Sequence, residues 1–320
     1  MTWLVTGGAG YIGAHVVRAL VDDGAPVAVL DDLSTGDASR VDPGATFVAG
    51  SVLDGDLVAR VLRDHEVRGV VHIAAKKQVG ESVADPLLYY RENVAGLVTL
   101  LEGCRGQGVD RFVFSSSAAT YGLPDVELVD EDTPGVPLSP YGESKLIGEW
   151  LLRDCAAAYD LRVMSLRYFN VAGAASPELG DPGVFNLIPL VFQALAAGER
   201  PKVFGADYPT PDGTCIRDYV HVDDLAAAHL TAARALESGV PGTTYNIGRG
   251  KGASVLDVLR VVGEVTGTDL TYDVVDRRAG DPARVVAAVD RIRDGLGFTA
   301  QRDLRDMVDS AWAGWQAQHT

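Results

Sequence analysis

The chain has 320 residues, 47% of them hydrophobic and 22% charged, so it can bury a large core within one large domain or two of ordinary size. Its formal net charge of −16 disfavours binding to nucleic acid or to an anionic membrane surface. The three cysteines are scattered and fit reduced thiols, and the sequence predicts no metal site. It shows neither a secretory signal nor a membrane-spanning run, and we expect a cytoplasmic protein.

Short β-rich runs alternate with helical patterns through the first half of the chain. In order these are TWLVTG, a helix over about 11–23, PVAVLDD, a helix near 57–64, GVVHIAA, a helix around 86–105, RFVFSSS, a long helix from 139–140, and LRVMSLRYFN. Apolar strands that are each followed by a helix predict an α/β fold with a Rossmann-type, doubly wound parallel sheet. Such sheets bind ligands beyond the carboxyl ends of their strands.

The composition of the sequence changes after Asn170, where glycine- and proline-rich connections join shorter elements. We expect residues 1–170 to form a dinucleotide-binding domain and residues 171–320 to form mainly a smaller, substrate-binding α/β part. The run TTYNIG, at 243–248, resembles another strand of the main sheet. A segment of about 220–250 is therefore expected to return to the first domain.

A glycine-rich loop, TGGAGYIG at 6–13, connects the first strand to the first helix. Gly7, Gly10 and Gly13 let the backbone approach a pyrophosphate, which then lies at the positive end of the helix. The second strand ends at Asp31, whose carboxylate can accept hydrogen bonds from a ribose diol and would repel a 2′-phosphate. These features predict NAD as the cofactor rather than NADP.

The motif SPYGESK, at 139–145, places a tyrosine and a lysine four residues apart just after a helix-starting Ser-Pro pair. On a helix Tyr141 and Lys145 share one face. Positive charge from Lys145 and from oxidised nicotinamide is expected to lower the pKa of the Tyr141 phenol, so that it can take a proton from a substrate hydroxyl. Ser117, in FSSSAATYG, can orient or relay that proton. Taken singly, each side chain also fits an ordinary packing, solvation or capping role.

Four motifs, TGGAGYIG, SSSAATYG, YGESK and RYFNVAGA, resemble in order and spacing the extended short-chain dehydrogenase/reductase superfamily and, within it, the UDP-glucose 4-epimerase family. The resemblance continues through FNLIPLV, FGADYPTPDGTCIRDYVHVDDLA and RRAGD to the C-terminus. It implies a homodimer, with helices near 86–105 and 140–159 at the subunit contact. It also implies an NAD-dependent isomerase that interconverts UDP-glucose and UDP-galactose through a 4-keto sugar.

The resemblance assigns roles to matching residues of this chain. Catalysis is implied for Ser117, Tyr141 and Lys145, with Tyr141 as the base. Arg217 and Arg278 are implied to bind the diphosphate and Asp281 the uridine ribose. NAD binding is implied for Gly7, Gly10, Tyr11, Ile12, Gly13, Asp31, Asp32, Ser51, Val52, Ala74, Ala75, Lys77, Asn93, Ser115, Tyr141, Lys145 and Phe169. Substrate binding is implied for Ser117, Tyr141, Asn170, Asn186, Leu187, Val203, Phe204, Arg217, Arg278, Asp281 and Val285.

Two positions depart from the family pattern. Ser51 stands where many members carry an aspartate near the adenine. Val285 stands where members restricted to plain hexoses carry a bulky aromatic residue, so the expected substrates include UDP-N-acetylglucosamine. The alternative is that Val285 or Val286 simply packs in the core, because the register is uncertain by one residue.

Several alternatives remain open at this stage. Dehydratases of the superfamily carry an Asp-Glu pair, and decarboxylating members a glutamate, where this chain has Ala118 and Ala119 after Ser117. The remaining candidates are a UDP-glucuronate 4-epimerase, a dehydratase or a non-catalytic NAD-sensing protein. For Arg217 the alternative is an ordinary ion pair with Asp218.

Overall fold

The structure, a computed structural model, describes residues 1–278 and 280–319, so Ala279 of the RRAGD motif lies outside the described residues. Seven strands form one large sheet, and the others form small sheets. The strands are β1 (Thr2–Thr6), β2 (Val27–Asp31), β3 (Thr46–Ala49), β4 (Val67–His72), β5 (Arg111–Ser117), β6 (Arg162–Tyr168), β7 (Asn170–Ala172), β8 (Lys202–Phe204), β9 (Ile216–His221), β10 (Thr244–Ile247), β11 (Gly252–Ser254), β12 (Asp273–Val275) and β13 (Arg284–Val285).

The large sheet has the strand order β10-β6-β5-β4-β1-β2-β3. The pairs β1–β2, β1–β4, β2–β3 and β4–β5 are parallel, which confirms the predicted doubly wound fold. Strand β2, VAVLD, is buried at every residue, as expected for a strand covered on both faces. The order in which strands are added to the sheet reverses at β1, which lies between β2 and β4. The connections that follow β1 and β4 therefore lead to opposite sides, and the crevice between them is where such sheets bind nucleotides. Strand β10 lies at the edge of this sheet, as TTYNIG predicted.

The helices largely follow the predicted pattern. They are α1 (Tyr11–Asp22), α2 (Gly55–Asp64), α3 (Val79–Ala84), α4 (Pro86–Tyr89), α5 (Gly96–Gln107), α6 (Pro140–Ala158), α7 (Leu187–Ala196), α8 (Val222–Glu237), α9 (Val255–Thr266), α10 (Asp290–Leu296) and α11 (Leu304–His319). Short 3₁₀ turns occupy Ala38–Arg40, Ala118–Thr120 and Pro177–Leu179. No helix among the residues that the structure describes is long and apolar enough to cross a membrane.

One helix prediction needs correction. The sequence predicted a single helix around 86–105, whereas the structure has α4, a π-helical turn over Tyr90–Ala95, and then α5. A π-turn holds one more residue than an α-turn, and π-turns are frequent at functional sites. Asn93 within this turn is buried and hydrogen-bonded to side chains and backbone far along the chain. These long-range contacts, which no local pattern encodes, accompany the change of helix type.

The chain divides into two compact units. The first comprises 1–122, 134–167 and 226–245, and the second comprises 123–133, 168–225 and the residues from 246 onward. The core of the first unit packs Leu4, Leu30, Phe112 and Leu152. The core of the second is a separate cluster that includes Phe192, Tyr219, Val262 and Trp315. Each unit thus has its own buried apolar interior.

In the second unit β9 organises a small sheet. It pairs with β7, β11 and β13, while β8 and β12 form a separate two-stranded sheet. Residues from distant parts of the chain, such as Asn170 on β7 and Arg217 on β9, are therefore carried by adjoining strands. This arrangement gathers many of the predicted substrate residues.

Candidate active site

The glycine-rich loop of the first unit follows β1 and leads into α1. Gly7 has φ +74°, and a Cβ there would lie 2.6 Å from the backbone nitrogen of Ala74, just after β4. A Cβ on Gly13 would lie 1.9 Å from the Gly7 carbonyl oxygen. Both positions therefore require glycine for the protein's own packing.

Gly10 is different, because the fold itself leaves room for a side chain there. The nearest atom to a Cβ on Gly10 is the Gly7 carbonyl oxygen at 3.4 Å, and φ is −81°. Gly10 is also the N-cap of α1, where it offers no side-chain hydrogen bond, and the first turn carries no acidic residue. The helix N-terminus is therefore suited to an anion that approaches the backbone closely.

Asp31, at the end of β2, is buried beside this loop. Its carboxylate oxygens accept hydrogen bonds from the backbone nitrogens of Ala9 and Leu33, both at 2.9 Å. Burial raises the pKa of Asp31, and the two hydrogen bonds oppose that shift. A carboxylate can accept more than two hydrogen bonds, so Asp31 both holds the glycine loop and can accept from a ribose.

Most of the remaining predicted cofactor residues of the first unit lie on the connections that follow the strands, and two lie in the first turn of α1. Asp32 and Lys77 are exposed, whereas Val52 is buried. Tyr11 and Ile12 begin α1, Ser51 and Val52 follow β3, and Ala74 and Ala75 follow β4. Phe169 belongs to the second unit, where it is buried and its backbone nitrogen donates to the carbonyl of Ile247 at 3.2 Å.

Asn93 has a structural role that the sequence did not reveal. Its Oδ1 accepts from the backbone nitrogen of Lys76 at 2.8 Å. Its Nδ2 donates to the Lys76 carbonyl and to the Ser144 hydroxyl, both at 3.0 Å. Its amide thus fixes the connection after β4 against α6. The cofactor contact implied for Asn93 stays a prediction.

The tyrosine of SPYGESK lies in the first turn of α6. Ser139 caps this helix by accepting from the Gly142 nitrogen at 3.3 Å, and Pro140 is its first residue, both as predicted. Tyr141 is buried, and the Ser117 hydroxyl at the end of β5 is near enough to its phenol to act on the pKa of Tyr141. The Ser117 hydroxyl also accepts from the Ala119 nitrogen at 3.1 Å. The structure thus brings together a phenol and an alcohol from two elements of the first unit.

Burial raises the pKa of Tyr141 above its usual value in this structure, and the Ser117 hydroxyl acts against that rise. The Lys145 ammonium donates to the Ser115 carbonyl at 2.8 Å, and desolvation of the phenol dominates its pKa. The expected lowering rested on the charges of both Lys145 and oxidised nicotinamide, and it stays a prediction for the NAD-bound enzyme.

Lys145 is almost fully buried, and burial lowers its pKa to about 8. The carboxylate of Glu149, one helical turn further on, raises that pKa and so favours the ammonium form. Glu149 in turn forms a two-point ion pair with Arg167, at 2.9 Å from Nε and 2.6 Å from Nη2, and accepts from the Ser116 hydroxyl. The sequence analysis missed Glu149 and Arg167. The i, i+4 spacing of Lys145 and Glu149 was the available signal.

In the second unit two of the predicted substrate residues pair with each other. The guanidinium of Arg217, on β9, forms an ion pair with Asp281, and the Cys215 thiol lies 3.8 Å from the same carboxylate. The alternative prediction, an ion pair between Arg217 and Asp218, is wrong. Asp218 is fully buried, accepts from the backbone nitrogens of three residues and has its pKa raised by burial to about 6. Those three residues are Arg249, Gly250 and Ala287.

Other predicted substrate residues form a second group around β8. The Arg278 guanidinium stacks over the ring of Phe204, 3.8 Å from its centroid, and Val203 beside it is buried. Asn186 caps α7, is exposed and donates to Asp181 at 3.4 Å, and Leu187 begins that helix. Stacking of a guanidinium on an aromatic ring leaves its N–H groups able to bind an anion.

Val285, at the end of β13, pairs with Arg217 of β9. The next residue, Val286, is fully buried and would contact any side chain at Gly252. Val285 is itself buried, so both valines are shielded from solvent and the place of Val285 beside the sugar stays a prediction.

Comparison with known proteins decides the family. The model of the NAD-dependent epimerase/dehydratase family matches residues 3–248. The chain belongs to this family. It is 47% identical to a UDP-glucose 4-epimerase of Azospirillum brasilense, over 98% of this chain and 91% of the relative.

Solved structures of epimerases share the fold of this family member over its full length. One is a UDP-glucose 4-epimerase of Stenotrophomonas maltophila with bound NAD and formylated UDP-arabinopyranose, with TM-score 0.96, 39% identity and coverage of 100% and 99% of the two chains. Another is a UDP-Glc/GlcNAc 4-epimerase of Campylobacter jejuni, with TM-score 0.87, 37% identity and the same coverage.

The residues of this family member fit the cofactor that the family name implies. Gly10 keeps the N-terminus of α1 open to a pyrophosphate although the protein's own packing does not require glycine there. The carboxylate of Asp31 stands at the end of the neighbouring strand. The enzyme is NAD-dependent.

Proposed function

We propose that this chain interconverts UDP-glucose and UDP-galactose by epimerising C4 of the sugar, with Tyr141, Ser117 and Lys145 as the catalytic residues. The observation that carries the proposal is the buried phenol of Tyr141 near the Ser117 hydroxyl, one helical turn from the buried ammonium of Lys145. Each of the three groups lies in the first unit, as do the glycine loop and Asp31.

Bound NAD would supply the reversible acceptor for the hydride that leaves C4. The phenolate of Tyr141 would take the proton of the C4 hydroxyl and return it when the alcohol reforms on the other face of the sugar. Ser117 would hold the same hydroxyl through its own alcohol group, which lies near the phenol. Lys145 would stabilise the phenolate through its positive charge, which Glu149 helps to maintain.

The residues after Ser117 favour epimerisation over dehydration. Elimination of water from the sugar needs a further acid and base beside the reacting carbons. Ala118 and Ala119 occupy the short 3₁₀ turn after Ser117 and offer no ionisable group. The hydroxyl of Thr120, the last residue of that turn, donates to the Ser117 carbonyl instead.

The second unit would bind the UDP part of the substrate. Arg217, beside Asp281, and Arg278, stacked on Phe204, supply positive charge suited to a diphosphate in a protein of net charge −16. We accordingly assign NAD binding mainly to the first unit and UDP-sugar binding mainly to the second.

We further propose a homodimer formed through the helices of the first unit. Large apolar side chains are exposed on α3, α4 and α6, among them Val83, Leu87 and Trp150, the last being 48% exposed. Exposed apolar residues on neighbouring helices are typical of a subunit interface. The three cysteines are free thiols, which accords with a cytoplasmic location.

N-acetylated sugars are a second substrate candidate. Val285 is a small aliphatic residue that pairs with Arg217, and its neighbour Val286 is a valine too, so neither position carries an aromatic ring. An acetamido group at C2 needs space more than a new polar partner. The similarity to the Campylobacter jejuni UDP-Glc/GlcNAc 4-epimerase supports this extension.

The deciding experiment follows interconversion by the purified protein without added reductant. UDP-galactose, UDP-N-acetylgalactosamine and UDP-galacturonate are supplied separately, and products are separated by chromatography. We expect UDP-glucose from UDP-galactose with no net oxidation. Conversion of UDP-galacturonate alone would favour the uronate epimerase, and absence of turnover on all three would favour a non-catalytic NAD-binding protein.

The matching variant is Tyr141→Phe. It keeps the ring and removes the proposed base, so we expect NAD content and the thermal unfolding midpoint to be retained while kcat falls by about 10² to 10⁴-fold. Turnover above a tenth of the wild-type value would exclude Tyr141 as the base.

A further inference from the structure

Tyr89, the last residue of α4, is fully buried against the proposed base. Its ring meets that of Tyr141 edge to face, with centroids 6.4 Å apart and an interplanar angle of 84°. Aromatic pairs prefer this geometry, and it fixes the tilt of one ring relative to the other. An aromatic side chain from an element distant in sequence thus packs against Tyr141.

The hydroxyl of Tyr89 is held as firmly as its ring. Gln78 contacts it twice, through a carbonyl that accepts at 2.7 Å and a backbone nitrogen that donates at 2.8 Å. The carboxylate of Glu81 lies 2.8 Å away as a second acceptor. The single phenol proton can be donated to only one of the two acceptors at a time. Because either acceptor and the Gln78 nitrogen hold the hydroxyl at the same place, its position is restrained.

A purely space-filling role does not require this hydroxyl. Burial and the neighbouring Glu81 raise the pKa of Tyr89, which therefore stays protonated and is not a second base. Gln78 is the N-cap of α3 and gives that helix no side-chain hydrogen bond. The Tyr89 hydroxyl instead fixes the backbone at this point, directly after Lys77.

The π-helical turn that follows Tyr89 applies a second constraint to the same region. Asn93 ties the backbone of Lys76 to the Ser144 hydroxyl, and Ser144 donates to the Tyr141 carbonyl at 2.7 Å. Tyr89 therefore restrains the ring of Tyr141, while Asn93 acts on its backbone through Ser144. Both restraints originate in one short stretch of chain.

We infer that Tyr89 is a positioning residue for the epimerase reaction, which holds the Tyr141 ring in the orientation needed for proton transfer through its edge-to-face contact and its hydroxyl anchor on Gln78 and Glu81. The inference rests on the proposed function of Tyr141 as the base. Displacement of a reacting group by about 1 Å can reduce a rate by about 10²-fold, so a restraint of this kind has a measurable effect.

The test compares Tyr89→Leu, which removes both ring and hydroxyl, with Tyr89→Phe, which keeps the ring. Kinetics are measured at saturating NAD on protein whose folding is checked by circular dichroism. We expect kcat to fall about 10²-fold in Tyr89→Leu and about tenfold in Tyr89→Phe, which keeps the ring contact but loses the hydroxyl anchor, with KM for UDP-galactose within about twofold in both. Tyr272→Phe, at an exposed tyrosine of the second unit, is the matched control.

A role in packing alone predicts a different pattern. Tyr89→Leu would then lower the unfolding midpoint while kcat per folded, NAD-loaded chain stayed within twofold of wild type. That result would overturn the inference, as would an equal loss of kcat in the leucine and phenylalanine variants.

The double variant Tyr89→Leu/Tyr141→Phe separates this inference from the proposed function. If Tyr89 acts through Tyr141, the double variant is no slower than Tyr141→Phe alone. A further 10²-fold loss would show that Tyr89 acts by another route and would overturn the positioning role while leaving Tyr141 as the base. High activity in Tyr141→Phe would instead contradict the base assignment and, with it, the role of Tyr89.

Discussion

At the scale of single residues, burial sets the chemistry of the proposed catalytic groups in opposite directions. It raises the pKa of the Tyr141 phenol and lowers that of the Lys145 ammonium to about 8. Both shifts favour the neutral forms, because a charge loses hydration when it is buried. Two contacts act against them, the Ser117 hydroxyl on Tyr141 and the Glu149 carboxylate on Lys145.

The first prediction concerns the pH dependence set by Lys145. Because Lys145 loses its proton near pH 8, kcat/KM should decline as the pH rises through about 8. Glu149→Gln removes the carboxylate that raises this pKa, so we expect the decline to move to lower pH by about one unit. The measurement is a profile of kcat/KM from pH 6 to 10.

Ser116→Ala is the control for this shift, because it removes a hydrogen bond to Glu149 but leaves its charge. Glu149→Gln also leaves Arg167 buried without its carboxylate partner, which costs about 3–5 kcal/mol. The profile must therefore be recorded where circular dichroism shows a folded variant. An unchanged alkaline decline in folded Glu149→Gln would contradict the assignment to Lys145.

The second residue-scale prediction concerns Val285. We expect measurable epimerisation of UDP-N-acetylglucosamine beside UDP-glucose, and selective loss of the former in Val285→Tyr, because the larger ring fills the space of the acetamido group. Val286→Ala is the matched control. It should lower the unfolding midpoint by creating a cavity without changing the ratio of the two activities. Loss of both activities in Val285→Tyr would show that Val285 also packs in the core.

At the scale of elements, the connection from β1 to α1 combines glycines with different functions. Gly7 is required by its close approach to the backbone of Ala74 and Gly13 by its contact with the Gly7 oxygen, whereas Gly10 lies where a methyl group meets only ordinary contacts. Glycines at the same three-residue spacing thus serve either the folding of the loop or the binding of the proposed pyrophosphate. Only the contacts around each glycine show which of these roles it has.

This distinction predicts opposite behaviour of two alanine variants. Gly10→Ala should unfold within about 2 °C of wild type when both are stripped of NAD, but should bind NAD at least about tenfold more weakly. Gly13→Ala should lower the unfolding midpoint of the NAD-free protein, because its Cβ would lie 1.9 Å from the Gly7 oxygen. Thermal unfolding and calorimetric NAD titration provide the two readings. Normal NAD affinity in Gly10→Ala would remove the main support for the pyrophosphate site.

At the scale of the whole molecule, the distribution of apolar surface bears on assembly. A protein of net charge −16 carries mutual repulsion between copies, so a stable dimer needs an apolar contact. Leu87 on α4 is 76% exposed and Trp150 on α6 is 48% exposed. Both helices belong to the first unit, in which α4 packs against α6.

We therefore predict that Leu87→Glu and Trp150→Glu each convert a dimer into monomers. A buried, unpaired carboxylate at the contact is costly, whereas the same change on open surface is tolerated. Val274→Glu, at a 55% exposed apolar residue of the second unit, is the control and should remain dimeric. Light scattering after size exclusion measures the mass, and a monomeric wild-type protein at micromolar concentration would contradict the proposal.

The sequence alone determined the features that depend on neighbouring residues. Apolar strands followed by helices indicated the parallel sheet, and the glycine spacing with Asp31 indicated NAD. The Ser-Pro start of α6 and the i, i+4 pair Tyr141 and Lys145 were also local and correct in placement. These patterns involve residues that are close together in the sequence, so they can be recognised without knowledge of distant contacts.

Only the tertiary structure decided which distant groups meet and how deeply they are buried. It showed that Asn93 bonds Lys76 and Ser144, and it paired Arg217 with Asp281 instead of Asp218. It also paired Val285 with Arg217 and brought Tyr89 against Tyr141. Register, hydrogen-bond partners and pKa directions arise from residues far apart in the chain, because desolvation and packing depend on the complete surroundings of a group. Local sequence patterns do not contain that information.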